Sequence, residues 1–389
     1  MGNTKRFVIV ITSPQMVFNP GECIEGQVHV DLAADMKMRG LSVSCTSLGE
    51  AVWRRGNQIH RAKEDYLNLK LTLYGHPPNE GGEVVLPAGT HVFPFKFVLP
   101  NDLPGSYEGE KGAGIFVRHW LRAVMDRPWK TNKDYRIMFS VASILDLNSI
   151  PDAAEPVQVR GKRDPSVMCC CYSGEVTANF RLDKKGYVPG ESIVIHGEVV
   201  DCLNIGITAV FVELFRKTIF TKDANGIIYD DLTPVARLRH SRVAAGGSDL
   251  WNGEKLRIPP LAPSYLPGCN IMDLNYYLKI TVQLPGLKVG SHLVLTLPII
   301  IGTVPLYSTV RQNMAVDGTT DPQEIQPVMS QPQSSGMSHP LPAYTPDDIP
   351  PPSYQECVFG KVDTINDDEP HTAGDKTYAP LYTYYESMV

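Results

Sequence analysis

The sequence predicts an all-β protein: two tandem antiparallel β-sandwiches followed by a disordered, acidic, proline-rich tail. Three observations carry this. Apolar and polar residues alternate with period two in many short segments. Two diverged copies of one motif set recur in the same order, with their aromatic anchors Phe18 and Tyr187 standing 169 positions apart. Beyond Tyr307 the alternation stops. Period-two patterning marks strands with one buried and one wet face, hence antiparallel sheets. Short strands separated by Pro/Gly turns point to sandwiches.

The first copy opens with FNPGECIEGQVHVDL (Phe18–Leu32), an aromatic followed by a Pro-Gly-Glu turn and a strand. Val28, Val30 and Leu32 alternate there with Gln27, His29 and Asp31. Phe93, Phe95, Phe97 and Leu99 line one face of the next clear strand, and VLPNDLPGS (Val98–Ser106) leads into IFVRHWLRAVM. The second copy repeats the scheme with YVPGESIVIHGEVVD (Tyr187–Asp201), then PPLAPSYLPGC (Pro259–Cys269) and MDLNYYLKITVQL. Leu278, Ile280, Val282 and Leu284 alternate with Lys279, Thr281 and Gln283. No long segment has the 3.6 period of a helix. Between the copies, prolines and charges replace alternation over Leu145–Ser166. The expected organisation is a sandwich over residues 6–148, a linker over 149–164, a second sandwich over 165–306 and a disordered tail over 307–389. From Thr303 onward the chain has 87 residues, 12 prolines and no tryptophan. Such a composition buries too little apolar surface to offset its conformational entropy.

Charge and cysteine usage exclude several classes. The net charge is −6, but residues 303–389 hold 12 acidic and 3 basic residues, leaving 33 basic and 30 acidic in 1–302. A near-neutral body gives no case for bulk nucleic-acid binding. No run approaches the roughly 18–20 apolar residues of a membrane span. MGNTKR lacks the apolar core of a secretory signal, and Arg6 stands where an N-myristoylation signal at Gly2 wants Ser or Thr. The eight cysteines include no C-x-x-C pair. On a strand, Cys169-Cys170-Cys171 would point alternately to opposite faces, an arrangement that suits neither a metal nor a disulfide. The expectation is a reducing, cytoplasmic setting, with no metal and no cofactor. Catalysis is not expected. GEKGAG (Gly109–Gly114) matches neither phosphate-binding glycine pattern, and the ten histidines form no H-E-x-x-H or nucleophile pair.

Three stretches carry a family resemblance: SYEGEKGAGIFVRHWLRAVMDRPWK (Ser106–Lys130), LRIPPLAPSYLPGCNIMDLNYYLKITV (Leu256–Val282) and LPIIIGTVPL (Leu297–Leu306). Together they make nearly all of residues 6–306 similar to the arrestin-domain-containing proteins, or α-arrestins. The resemblance implies two arrestin-type sandwiches and adaptor work. The body would bind membrane cargo, receptors or transporters, and the tail would recruit HECT-type ubiquitin ligases carrying WW domains. Cargo would then be ubiquitinated, endocytosed and sorted to lysosomes. It implies a cytoplasmic protein recruited to plasma membrane and endosomes by peripheral association. The alternative from another class is a ubiquitin-independent endosomal sorting scaffold. One relative in the family binds thioredoxin through a cysteine three residues before a tryptophan. Here Ser248 stands before Trp251, and serine cannot form a mixed disulfide.

The tail motifs are short and concrete. Pro350-Pro351-Pro352-Ser353-Tyr354 contains P-P-x-Y, the WW ligand. Consecutive prolines favour polyproline II, so little entropy is lost on docking; Pro351 and Pro352 would lie on the aromatic groove and Tyr354 in the adjoining slot. LPAY (Pro342, Tyr344) and APLY (Pro380, Tyr382) are degraded copies lacking the first proline. YAPL (Tyr378–Leu381) and YESM (Tyr385–Met388) fit the Y-x-x-Φ pattern read by clathrin adaptors. Ser387 and Val389 fit a PDZ ligand. In the body, Arg54, Arg55, Arg61 and Lys63 are candidates for contact with acidic cargo or anionic lipid, with Arg127, Lys130, Lys184 and Lys185 as further basic positions.

Overall fold

The computed structural model describes residues 4–77, 80–110, 114–163, 174–220, 229–285, 292–310, 351–364 and 372–386. The N-terminal sandwich is built from β1 (Thr4–Ile11), β2 (Val17–Phe18), β3 (Cys23–Leu32), β4 (Met36–Met38), β5 (Gly40–Arg55), β6 (Gln58–Gly75), β7 (Val84–Leu86), β8 (Gly89–Val98), β9 (Tyr107–Glu108), β10 (Phe116–Asp126) and β11 (Lys133–Val141). One sheet has the order β1-β3-β8; the facing sheet runs β2-β11-β10-β5-β6, with β9 on β10. The alternation explains the pairing. Val28, Val30 and Leu32 turn inward and are buried with Phe95, Phe97, Val43, Leu121 and Phe139 in one core. Burying each such side chain stabilises by about 1.5–3 kcal/mol.

A short 3-10 turn, Leu147–Ser149, leads to the second sandwich. Its strands are β12 (Val157–Arg163), β13 (Val176–Leu182), β14 (Gly186–Tyr187), β15 (Ser192–Asp201), β16 (Ala209–Phe220), β17 (Tyr229–His240), β18 (Ser248–Arg257), β19 (Met272–Gln283) and β20 (Leu293–Ile301). The sheets run β12-β13-β15-β18 and β14-β20-β19-β16-β17. The expected linker over 149–164 therefore ends inside a sheet, since β12 is an edge strand paired with β13 from Val157↔Leu182 to Arg163↔Val176. Its outward-facing Gln158, Arg160 and Lys162 are polar, and the charges of the last two hid it as a strand.

The internal repeat is structural. Phe18 in β2 pairs in parallel with the end of β11, and Tyr187 in β14 does the same with the end of β20. Each Pro-Gly turn needs a left-handed glycine, Gly21 at φ 84° and Gly190 at φ 95°. Each following glutamate accepts a backbone N–H three residues back: Asn19 to Glu22 at 2.5 Å, Val188 to Glu191 at 3.2 Å. Ser106 exchanges two hydrogen bonds with Val141, and Ser264 does so with Ile301. The structural match is thus Leu103–Tyr107 with Leu261–Tyr265; the second Leu-Pro-Gly, Leu266–Gly268, is an addition.

The sandwiches meet through side chains of both. Tyr107 and Thr218 hydroxyls lie 2.8 Å apart, Arg216 Nη1 donates to the Glu108 carbonyl at 3.1 Å, and Trp53 stacks on Phe220 at 5.3 Å.

The tail differs from the sequence expectation over two stretches. Residues 351–364 and 372–386 form β21 (Ser353–Glu356), β22 (Val362–Asp363), β23 (Ala373–Gly374), β24 (Thr377–Tyr378) and β25 (Leu381–Tyr384). Strand β21 pairs antiparallel with β25, β22 with β24, and β23 runs parallel to β11. The physical reason is local. Cys357, Val362, Tyr378, Ala379, Tyr382, Tyr384 and Tyr385 are all buried against the body. These segments have the apolar surface that the tail as a whole lacks.

Candidate partner-binding site

The P-P-x-Y motif sits where this tail crosses the junction of the two sandwiches. Pro351 and Pro352 are exposed, and Tyr354 is half-buried within β21. Tyr354 lies opposite Thr383, with Ser353 opposite Tyr384 and Gln355 opposite Tyr382. Pro351, Pro352 and Tyr354 line one open groove together with Asn19, Ala142, Ile144, Thr303, Thr383 and Tyr385. Burial, and secondarily the charge of Glu22, pushes the Tyr354 hydroxyl above its ordinary pKa.

The tail is held on both sides of the junction. On the N-terminal sandwich, the buried Tyr378 hydroxyl lies 3.2 Å from the Phe139 carbonyl, 3.2 Å from Ser106 Oγ and 3.1 Å from Ser140 Oγ. Leu381 N–H donates to Ser140 Oγ at 2.9 Å. Arg136 Nη2 donates to Thr364 Oγ1 at 2.8 Å and to the Thr364 carbonyl at 3.1 Å. Met138 N–H donates to Asp375 Oδ2 at 2.9 Å. Gly374 adopts φ 103°, and a Cβ there would stand 1.9 Å from the Arg136 carbonyl oxygen, so the close approach admits glycine alone. On the C-terminal sandwich, Tyr385 N–H donates to the Pro189 carbonyl at 3.0 Å and Val358 N–H to that of Pro260 at 3.0 Å. The Tyr385 hydroxyl donates to the Thr303 carbonyl at 2.8 Å. The Arg216 guanidinium lies 4.3 Å over the Phe359 ring and 5.0 Å over that of Tyr107. Cys357 is buried in the cluster of Tyr107, Phe220 and Tyr382, and burial raises its thiol to about 11.

The other sequence candidates fall apart spatially. APLY is in the cleft: Pro380 and Tyr382 are buried, and the Tyr382 hydroxyl donates to the Ser106 carbonyl at 3.3 Å. Tyr378 and Tyr385, the first residues of the two Y-x-x-Φ matches, are buried as well. Pro342 and Tyr344 of LPAY, and Ser387 and Val389 of the C-terminal motif, lie outside the described residues, as does the Cys169–Cys171 triplet.

The basic cluster is a hairpin face. The β5–β6 register sets Val52 opposite Arg61, Arg54 opposite Ile59 and Glu50 opposite Lys63. Arg54, Arg61 and Lys63 therefore share one face with Glu50, and Arg61 Nε lies 3.1 Å from Glu50 Oε1. Arg61 is 69% exposed, so this pair is worth little in water. The Arg55 side chain lies outside the described residues. Lys185 pairs with Asp152 at 2.6 Å and Lys184 with the buried Glu191, so neither joins that face. Ser248 opens β18 as an exposed residue, while Trp251 is buried with Nε1 donating to Asp249 at 2.8 Å.

Sequence reasoning missed the tail's cradle: Ser106, Arg136, Ser140 and Arg216. Its signal was charge inside apolar strands. Arg136 stands in KDYRIMFSV and Arg216 in AVFVELFRKTIF, and both are buried. A buried arginine needs partners from elsewhere in the chain.

Two paired-sheet sandwiches in tandem, related by a Pro-Gly-Glu turn and a parallel edge pairing, define an arrestin-type protein. The chain belongs to the arrestin family: the model of the arrestin (or S-antigen) N-terminal domain matches residues 7–148 and that of the C-terminal domain residues 172–306. It is similar to arrestin domain-containing protein 4 of Mus musculus, 30% identical over 315 residues, covering 77% of this chain and 72% of that one. It is 28% identical to thioredoxin-interacting protein of Sus scrofa over 316 residues, covering 80% and 78% respectively, and likewise to that of Homo sapiens.

Proposed function

We propose that this chain is a non-catalytic adaptor that binds membrane cargo through its arrestin sandwiches and recruits a WW-domain HECT-type ubiquitin ligase through Pro351, Pro352 and Tyr354. The observation that carries this is an intact P-P-x-Y, with both prolines exposed, in a chain of the arrestin family. Membership makes adaptor work the coarse reading; the motif supplies the ligase. Cargo ubiquitination, endocytosis and endosomal or lysosomal sorting follow from bringing cargo and ligase together. The working place is the cytoplasmic face of plasma membrane and endosomes, where the Arg54, Arg61 and Lys63 face would meet acidic cargo tails or anionic lipid. Among the described residues no helix is long and apolar enough to cross a membrane, which fits peripheral recruitment.

Single WW contacts are typically weak, roughly micromolar, so ligases with several WW domains gain through effective concentration. Tyr382 is buried in the cleft, so the intact motif is the ligand proposed here and LPAY the remaining degraded copy. The test is cargo ubiquitination in cells with the intact chain and with Tyr354→Ala. Loss of most of the signal supports ligase recruitment. Unchanged ubiquitination with sorting intact favours the ubiquitin-independent scaffold.

A further inference from the structure

The groove around the motif has a consequence for when it can be read, and this inference rests on the WW-ligand function above. A WW domain takes P-P-x-Y as an extended polyproline segment, with the two prolines and the tyrosine presented together. In this structure that presentation is incomplete. Pro351 and Pro352 face solvent, while Tyr354 is half-buried in the groove with Thr383 and Tyr385. The backbone of Ser353–Glu356 is engaged with Leu381–Tyr384, in the register Tyr354↔Thr383. A WW slot cannot close on Tyr354 while that pairing holds. Strand β25 is itself anchored, by Tyr385 on Pro189 and Thr303 and by Leu381 on Ser140.

We propose that the docked C-terminal segment is an intramolecular competitor for the P-P-x-Y motif, so that ligase capture and release of β21 from β25 are one equilibrium. The docking is suited to such exchange. The β21–β25 ladder spans only four residues per strand. Residues 357–380 join β21 to β25 in the same chain, and intramolecular linkage of that order gives an effective concentration of roughly millimolar. A short ladder at high local concentration is closed most of the time and opens readily. The apparent WW affinity is then the intrinsic affinity reduced by the released fraction.

Gly374 offers a way to open the tail without touching the ligand or the sandwich cores, because any Cβ there meets the Arg136 carbonyl. Tyr378 is the second hold. The experiment measures binding of a tandem WW-domain fragment to three molecules: the full chain, the full chain carrying Gly374→Ala with Tyr378→Ala, and a free peptide of residues 346–358. The expected result is that the full chain binds at least about tenfold more weakly than the peptide, and that the double variant recovers most of the difference. Equal affinity of full chain and peptide overturns masking while leaving the ligase function in place. If peptide and double variant both fail to bind, the WW reading itself fails and masking falls with it.

Discussion

Tyr354 and Tyr382 show how one residue type in nearly the same four-letter context takes different roles. Tyr354 is half-buried on a four-residue strand, whereas Tyr382 is fully enclosed with its hydroxyl on Ser106. Phosphorylating Tyr354 adds about −1.5 to −2 charges, close to Glu22, to a ring that the proposed WW complex would hold in an apolar slot. A phosphotyrosine peptide of residues 346–358 is expected to lose WW binding, and unchanged affinity in a fluorescence titration would contradict this. His119 carries a separate prediction. It is buried, with Nδ1 2.7 Å from Ser47 Oγ, and burial lowers its pKa from 6.5 to about 3. The neutral ring is favoured in the fold, so its contribution is present above pH 6.5. As pH falls toward 3, the unfolded chain takes up a proton that the folded chain refuses. Between pH 7 and 5 this group alone should cost about 2 kcal/mol. Urea midpoints of the wild type should fall more over that range than those of His119→Gln; parallel profiles would refute the assignment.

At the scale of elements, the strands of both sandwiches were legible because each buries one face and so writes its position in period two. β12 was not, since its outward residues are polar or charged and only Val157 and Val159 mark its inner face. The tail strands were hidden for a different reason. Composition averaged over 87 residues is that of a disordered chain, yet the last part concentrates Tyr378, Tyr382, Tyr384 and Tyr385. A segment that orders only against a ready-made surface has no pattern of its own to show. Arg136 and Ser140 provide that surface, and both lie far from the tail in sequence. Two expectations belong here. Tyr378→Phe removes a buried hydroxyl from Ser106, Ser140 and Phe139 and should weaken docking by about 1–2 kcal/mol, a 5- to 30-fold rise in the released population. Limited proteolysis within residues 372–386 should quicken accordingly; an unchanged cleavage rate would show that the hydroxyl contributes nothing. Cys357 reports the same opening. Its buried thiol should react slowly with an alkylating reagent in the full chain and several-fold faster in Gly374→Ala, followed by mass spectrometry of its own peptide. Equal rates would mean that the tail does not shield it.

The whole molecule is two copies of one design plus a strap. The duplication was readable because the Pro-Gly-Glu turn requires glycine at positive φ and glutamate to close the turn, and few substitutions meet both demands. The strap was not readable, because what it does depends on where two sandwiches meet. It touches β11 on one side and Pro189, Arg216 and Pro260 on the other, and its Phe359 covers the Arg216 guanidinium. Tail docking therefore couples the P-P-x-Y motif to the junction between the domains.

Hydrogen exchange of the full chain, with and without a saturating tandem WW-domain fragment, tests that coupling most directly. The amides of Tyr382–Tyr384 lie on the strand facing Ser353–Gln355 and bind no WW domain in the proposed complex, so their behaviour reports release from β21. They should be protected in the free chain and lose that protection when the fragment binds at Tyr354. Protection that persists at full WW occupancy would contradict the coupling of ligase capture to tail release.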